Sequence, residues 1–366
     1  MVLGKSSLEN MEINQPIFWK NKTVLITGHT GFKGTWLTLM LLKLGAKVIG
    51  FSEENTVVEN FFYGQMDLQK QIQSGQLIEI RQDLALGLKL ASSVDFVFHL
   101  AAQSVVTESY QDPVKTYQSN VMGSVCLLDW IQKKSTPPIV LFITTDKVYR
   151  KSESLSYREY DALGGFQDPY STSKACADLI GQSYYESFYR PRNMRMAILR
   201  SGNVIGGGDG RSHRLVPDMM RHLFLNTPLE IRTAHAVRPW QSVFEILKIY
   251  LNVACYLSDQ SPDLKIFNIG PSPEDHWTVQ QIINYCFRLH QTAATDEFKS
   301  MRQARTVDIS PLFLNSDKIQ SELNVLITPN LQKSLDEAYK WYQTYYSRPV
   351  DIAQISKELV QQHVPV

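Results

Sequence analysis

The stretch Val24-Leu25-Ile26-Thr27-Gly28-His29-Thr30-Gly31-Phe32-Lys33-Gly34 constrains this chain more than any other. Three apolar residues run into a turn whose glycines are spaced G-x-x-G-x-x-G. After Gly34 the apolar residues Trp36, Leu37, Met40, Leu41 and Leu44 recur at helical spacing. The pattern is a buried strand, a tight turn and a helix. The first N–H groups of that helix favour negative charge, and glycine lets the backbone approach a ligand, so a diphosphate fits above the turn. A second apolar run, 47–51, follows one crossover later, as a dinucleotide-binding βαβ unit requires. The bland alternative is a Gly-rich turn without a ligand, and the strand, helix and second strand around it weigh against that.

The remainder of the chain extends this unit. Further strands are expected at 77–80, 96–100, 140–144 and 196–199, with long helical patterns at 114–134 and 170–189. Alternation of this kind predicts a Rossmann-like, doubly wound parallel α/β sheet with helices on both faces. From Ser201 the pattern changes: a loop at 206–210, helices at 217–225, 278–289 and 331–345, and a strand at 265–269. The expected organisation is a mobile arm at 1–16 and an NAD-binding domain at 17–200 with a returning segment at about 237–269. A smaller, interleaved α/β substrate-binding lobe takes 201–236 and 270–350, and 351–366 is a C-terminal tail.

Composition narrows the partners. Lys plus Arg number 37 against 36 Asp plus Glu, so the net charge of +1 implies no attraction to nucleic acid or to a membrane surface. Cys126, Cys176, Cys255 and Cys286 lie far apart in helix-like segments and read as reduced thiols of a cytoplasmic protein. The eight histidines form no ligand motif, so no metal is expected. No run reaches the length of a membrane span, and 1–16 lacks the apolar core of a signal peptide.

Two further stretches bear on chemistry. An acidic residue after the second strand of such a unit holds the ribose hydroxyls of NAD, whereas an arginine accommodates the extra phosphate of NADP. Here Phe51-Ser52 is followed by Glu53 and Glu54, which favours NAD; the alternative for these carboxylates is a solvated loop. Tyr170-Ser171-Thr172-Ser173-Lys174 places a phenol and an amine at i and i+4 on one helix face. A protonated lysine beside a phenol favours the phenolate, which takes a proton from a substrate hydroxyl while a nicotinamide takes the hydride. Such a pair alone is usually surface. Beside the glycine turn and a strand ending at Thr144-Thr145, at the carboxyl edge where a parallel sheet places its ligand, it points to redox chemistry.

This combination resembles the extended short-chain dehydrogenase/reductase family. Within it, the turn at 28–34, Phe98-His99-Leu100-Ala101-Ala102-Gln103, Thr145-Asp146-Lys147-Val148-Tyr149, Asn203-Val204-Ile205-Gly206-Gly207-Gly208-Asp209 and Arg238-Pro239-Trp240-Gln241 are similar to the nucleotide-sugar 4,6-dehydratases, over about 17–345. The resemblance implies NAD as cofactor and CDP-glucose as substrate, in deoxysugar synthesis for surface polysaccharide such as lipopolysaccharide. It gives Gly28, Thr30, Gly31, Phe32, Lys33, Gly34, Asp83, Leu100, Ala101 and Ala102 to the cofactor and Arg214 and Arg238 to the substrate, with Gln103 and Asn203 either binding substrate or hydrogen-bonding backbone. Tyr170 is implied as the base for the C4 hydroxyl, with Thr145 on the same oxygen and Lys174 on the nicotinamide ribose. Asp146 and Lys147 are implied as the acid–base pair of an elimination. Burial is expected to hold Lys147 neutral; the sign for Asp146 stays open, and so does the division of roles between the two. A homodimer packed through the helices containing Asn120 and Tyr170 is also implied, and His99 reads as a core histidine.

Several positions depart from the family pattern. Gly210 stands where a tryptophan usually follows Gly-Gly-Gly-Asp, His213 where an aspartate precedes Arg214, Ser242 where a histidine often follows Arg-Pro-Trp-Gln, and Asn324-Val325 in place of Gly-Trp. Two other functions are consistent with such a fold: a nucleotide-sugar epimerase or reductase, which the Asp146-Lys147 pair argues against, and a catalytically silent NAD-binding regulator, which intact Thr145, Tyr170 and Lys174 argue against. Fold likeness alone does not separate them.

Overall fold

A computed structural model describes residues 17–54, 61–152, 156–165, 168–231, 233–292, 299–300 and 313–364. The arm expected at 1–16 lies outside the described residues. The strands used below are β1 (Thr23–Thr27), β2 (Lys47–Ser52), β3 (Leu77–Arg81), β4 (Phe96–His99), β5 (Ile139–Thr145), β6 (Met196–Ser201), β7 (Asn203–Ile205), β8 (Trp240–Ser242) and β9 (Leu264–Ile269). The helices are α1 (Phe32–Lys43), α2 (Val106–Gln111), α3 (Pro113–Tyr117), α4 (Gly123–Gln132), α5 (Pro169–Tyr184), α6 (Leu215–Leu225), α7 (Val243–Asp259), α8 (Val279–Leu289), α9 (Asp317–Leu323), α10 (Leu331–Ser347) and α11 (Ile352–His363).

Seven strands form one parallel sheet in the order β9-β6-β5-β4-β1-β2-β3. The order reverses between β1 and β4, and the crevice above that reversal is where a doubly wound sheet takes its ligand. Side-chain alternation divides the core into two layers. Val24, Ile26, Phe96, Phe98, Leu141, Ile143 and Leu199 pack on one face, with α1, α7 and α10. Leu25, Val97, Val140, Phe142 and Ile198 point to the other face, with α4 and α5. The long pattern expected at 114–134 is one helical run: α3, a π turn at Gln118–Met122, and α4. Such turns occur where a helix must redirect a side chain. This one carries buried Asn120, whose amide donates to the Gln103 carbonyl at 3.0 Å and to Ser173 Oγ at 2.9 Å, tying the loop after β4 to α5.

Beyond Ser201 the chain leaves the main sheet and returns to it. β8 pairs in parallel with β7, and β9 extends the main sheet beside β6. Between them α7 runs for 17 residues with Val243, Phe244, Ile246, Leu247, Tyr250 and Leu251 buried, an apolar stripe at helical spacing opposite Glu245, Lys248 and Asp259. The segment expected as a tail is instead α11, with Ile352, Ile355, Leu359 and Val360 buried. Their spacing makes an apolar stripe that must be covered, and α11 lies against α1 and α10.

The glycine loop 206–210 is wedged into an aromatic cluster. A Cβ on Gly207 would stand 2.2 Å from Trp341 Cγ, and one on Gly210 would stand 2.5 Å from Phe61 Cγ. Phe61 therefore occupies space beside position 210, where the family pattern puts a tryptophan. Trp341 is fully buried on α10 and donates its indole N–H to Ser356 Oγ of α11 at 3.0 Å. Trp341→Ala should cost about 3–5 kcal/mol, the usual range for a large aromatic removed from a core. The check is a lower urea midpoint at an unchanged slope.

Candidate active site

The turn after β1 is shaped by glycine at two places. Gly28 has φ +77°, and a Cβ on it would lie 2.8 Å from the Ala101 N. On Gly34 a Cβ would lie only 2.0 Å from the Gly28 carbonyl oxygen. The helix and the turn are thus in backbone contact, and the loop Leu100-Ala101-Ala102 leans on the same spot: Leu100 N–H donates to the Thr27 carbonyl at 3.1 Å, and Ala101 N–H to Thr27 Oγ1 at 3.3 Å. Gly31 is the N-cap of α1 and brings no side chain to cap its first-turn N–H groups. An uncapped 12-residue helix opening at a switch point suits a dinucleotide diphosphate, so these residues fit NAD.

The far end of this crevice gathers the carboxylates that the sequence suggests for the adenosine. Lys115 Nζ donates to Glu53 Oε2 at 2.9 Å and to Asp83 Oδ2 at 3.0 Å. Asp83 also accepts from Ala85 N–H at 2.9 Å, so it caps the turn that follows it. Thr30 N–H donates to Ser52 Oγ at 3.4 Å, and Ser52 Oγ meets His29 Nδ1 at 3.0 Å. The sequence reading had no role for His29, yet its buried ring fills the space above Gly50 and fixes the end of β2.

At the near end, β5, the turn after it and α5 bring Thr145, Asp146, Lys147, Tyr170 and Lys174 together. Thr145 Oγ1 donates to Asp146 Oδ1 at 2.7 Å. Asp146 is buried, and among the described residues its Oδ2 has no partner. Burial raises the Asp146 pKa, against the opposing pull of Lys147, the Thr145 hydrogen bond and Arg238. The sign left open by the sequence is therefore towards a protonated carboxyl. The Lys147 ammonium lies 5.9 Å from the centre of the Tyr170 ring. Contrary to the sequence expectation, Lys147 is only half buried.

Two more expectations change. Tyr170 is pushed up to about 12, by burial first and by the Asp146 charge second; Arg214 and the Thr145 hydrogen bond oppose them. Lys174 does not act on the phenol in the expected way: its Nζ donates to the Ile143 carbonyl at 3.0 Å, and burial lowers it to about 8 while Asp178 opposes. Lys33, expected only to help cradle the diphosphate, extends its side chain into the crevice, 5.9 Å from the Tyr250 ring centre. Its pKa falls to about 7 through burial and then the charges of Lys174 and Arg214, with Asp146 opposing.

The expected substrate residues divide. Arg214, just before α6, donates to Asp209 Oδ2 and to Ser104 Oγ of the loop after β4, each at 2.8 Å. Arg238 acts electrostatically on Asp146, and Asn203 is partly exposed on β7. Gln103 serves its own loop: its Nε2 donates to the Val105 carbonyl at 2.8 Å, and its Oε1 accepts from Val105 N–H at 3.2 Å. Arg211, absent from the sequence reading, pairs with Glu108 at 3.2 Å across the same opening. His99 is a core residue, between Thr27 Oγ1 at 2.7 Å and Ser124 Oγ at 3.0 Å, and burial followed by the Lys174 charge lowers it to about 3. Among the described residues no group of His, Cys, Asp or Glu side chains could hold a metal ion, and no helix is long and apolar enough to cross a membrane.

Comparison with known proteins agrees with this geometry. The model of the NAD dependent epimerase/dehydratase family matches residues 24–270. A CDP-glucose 4,6-dehydratase of Salmonella typhimurium is 39% identical over 275 residues, 73% of this chain and 76% of the relative. The fold is shared with UDP-glucuronic acid 4-epimerase from Bacillus cereus, solved with UDP-glucuronic acid and NAD (TM-score 0.76, 21% identity, 88% of this chain and 100% of the other). It is shared too with dTDP-glucose 4,6-dehydratase from Bacillus anthracis in complex with NAD (TM-score 0.72, 20% identity, 90% and 99%).

Gly34→Ala should weaken NAD binding by about 10²-fold or more, because the added carbon displaces the turn by roughly an ångström or more. Calorimetric titration, with circular dichroism to show an intact fold, reads the loss.

Proposed function

The chain belongs to the NAD dependent epimerase/dehydratase family, and from that membership we propose that it converts CDP-glucose to CDP-4-keto-6-deoxyglucose and water. The observation that carries the reading beyond an epimerase is the buried Asp146, its carboxyl raised towards the protonated form beside Thr145 and Tyr170. An epimerization at C4 needs no acid for a leaving hydroxyl; a 4,6-elimination does.

The uncapped start of α1 with Gly28, Gly31 and Gly34 would hold the cofactor's diphosphate, with Lys174 at the nicotinamide ribose. When bound there, NAD supplies a hydride acceptor for C4 and later the hydride donor for C6, with no net oxidation. Tyr170 takes the O4 proton while Thr145 hydrogen-bonds the same oxygen. The resulting C4 ketone acidifies the neighbouring C5–H. Lys147 removes that proton, and Asp146 donates a proton to the C6 hydroxyl, which leaves as water. A proton returned to C5 completes the balance. Arg214 and Arg238 clamp the substrate diphosphate, for which guanidinium forks are suited. A homodimer through α3, α4 and α5 is supported by exposed Tyr110, Val114, Met122, Leu179 and Phe188 on and beside those helices, an apolar surface that a monomer would leave in water.

Incubation with CDP-, UDP- and dTDP-glucose tests the substrate. The highest kcat/KM is expected with CDP-glucose, and a better UDP- or dTDP-glucose would show that Gly210 and His213 mark a changed base pocket. During turnover, reduced cofactor should not build up in proportion to product.

Asp146→Asn and Lys147→Met separate the steps. Each should lower product formation by about 10²–10⁴-fold, the usual worth of a positioned acid or base. Both should still reduce bound cofactor on mixing with substrate, and Lys147→Met should lose exchange of the C5 hydrogen with deuterated water. Asp146→Asn removes the anion that helps to raise Tyr170. Its pH profile for cofactor reduction should therefore shift to lower pH wherever Asp146 is ionised in the wild type. Near-normal turnover by Lys147→Met would remove the base assignment.

A further inference from the structure

Behind the catalytic groups lies an ion pair that the proposed chemistry does not use. Asp178 on α5 and Arg200 on β6 are 0% and 1% exposed. Arg200 Nε and Nη2 donate to the two carboxylate oxygens of Asp178 at 2.9 and 2.8 Å. Asp178 also accepts from Thr144 Oγ1 at 2.9 Å and from Gln182 Nε2 at 2.8 Å. Arg200 Nη1 donates to the Tyr149 hydroxyl and the Glu159 carbonyl, each at 3.0 Å. The Tyr149 hydroxyl in turn donates to Asn268 Oδ1 of β9 at 2.5 Å. Every charge in this chain of contacts is buried and paired. A buried pair of this kind contributes little net stability compared with apolar side chains of the same volume, so its presence points to geometry.

Its contacts reach each element that carries a reacting group. Asp178 lies one helical turn beyond Lys174 and two beyond Tyr170. Thr144 precedes Thr145, and Tyr149 closes the turn that begins with Asp146-Lys147. We propose that the Asp178–Arg200 pair is the positioning device of the active site, setting the height of α5 against the end of β5 and the following turn. Tyr170 and Lys174 are thereby held at working distance from Thr145 and Asp146. Neither residue touches substrate.

The pair has an electrostatic side as well. The charged or titratable groups that face Lys174 are Asp178 on its own helix, Lys33 on α1 and His99 on β4; His99 is held neutral by burial. Asp178 is the one carboxylate that opposes the burial of the Lys174 ammonium. Without it, Lys174 loses its proton at lower pH.

The inference rests on the dehydratase reading for its kinetic arm, and has a second arm that does not. The test compares wild type with the double variant Asp178→Leu/Arg200→Met, which removes both charges and orphans neither, and with Thr144→Val, which cuts only the tie between α5 and β5. The double variant should lower kcat by about 10²-fold with KM nearly unchanged, the cost of misplacing reacting groups by an ångström. Thr144→Val should lower kcat by about 10-fold, also at unchanged KM. NAD affinity is measured against pH by quenching of tryptophan fluorescence. Its alkaline limb should move down by about one pH unit in the double variant, as expected when a neighbouring counter-charge is lost, and stay in place in Thr144→Val. A folded double variant with wild-type kcat and an unmoved limb overturns the proposal. Should that variant not fold, wild-type kcat in Thr144→Val overturns it. If the wild-type protein turns over no nucleotide-glucose, the dehydratase reading fails and the alkaline limb alone decides the role of the pair.

Discussion

The structure depends on a contact that no side chain could survive. At Gly34 a Cβ would sit 2.0 Å from the Gly28 carbonyl oxygen, and at Gly28 one would press on the Ala101 backbone at 2.8 Å. Because these backbones touch, α1 starts directly above the carboxyl ends of β1 and β4. Its uncapped N-terminus and the loop Leu100-Ala101-Ala102 then share one crevice. The parallel sheet delivers the other polar groups to the same edge: Thr145 ends β5 in register with Ser201 of β6, and His99 ends β4 in register with Thr27. A single steric constraint at the first turn thus sets where every later element of the site must end.

Much of this was legible in the sequence, and the reasons can be named residue by residue. The strands of the main sheet alternate or run apolar in ways that only a strand buried on both faces tolerates, as Val140 to Ile143 do. The Tyr170–Lys174 spacing needs only the helix to be informative. What stayed hidden depends on side chains meeting across long separations. Lys33 occupies the first turn of the cofactor helix, yet its amine belongs to the electrostatics of Asp146 and Arg214, more than 100 residues away in the chain. Of the two roles open to Gln103, substrate contact or backbone hydrogen bonds, the fold shows the second, with Val105. Helices α7 and α11 do carry their signal in the sequence, Val243, Ile246, Leu247 and Tyr250 in one and Ile352, Ile355 and Leu359 in the other recurring at helical spacing.

Charge burial explains why the site is built from so many ionisable groups in so little water. Lys33 and Lys174 are both pushed towards neutrality by burial, to about 7 and about 8, and Lys174 adds to the effect on Lys33. Arg214 stays charged and supplies the fixed cation. It is also anchored from the second lobe by Asp209, whose carbonyl in turn accepts from the Tyr342 hydroxyl at 2.7 Å. The aromatic cluster of α10 therefore has an electrostatic consequence: by wedging the glycine loop 206–210 in place, it sets where Arg214 stands relative to Tyr170.

Asp146 and Tyr170 form the most instructive couple in that setting. Asp146 is buried and Tyr170 partly so, and a charge on Asp146 adds to the cost of a phenolate on Tyr170. Two anions cannot easily share the space between Thr145 and Arg214, so the favoured arrangement holds one negative charge and one proton between them. A protonated Asp146 is the form that can donate to a leaving hydroxyl. It is also the form that removes an anion from beside Tyr170 and so makes the phenolate less costly. In the proposed mechanism a proton resting on Asp146 would supply the acid of the elimination and lessen the cost of the phenolate that takes the O4 proton. Thr145 lies beside them, donating to Asp146 Oδ1 at 2.7 Å and favouring the phenolate of Tyr170. An epimerase, which has no hydroxyl to expel, gains nothing from a neutral acid at this position, whereas a 4,6-dehydratase needs both states at once.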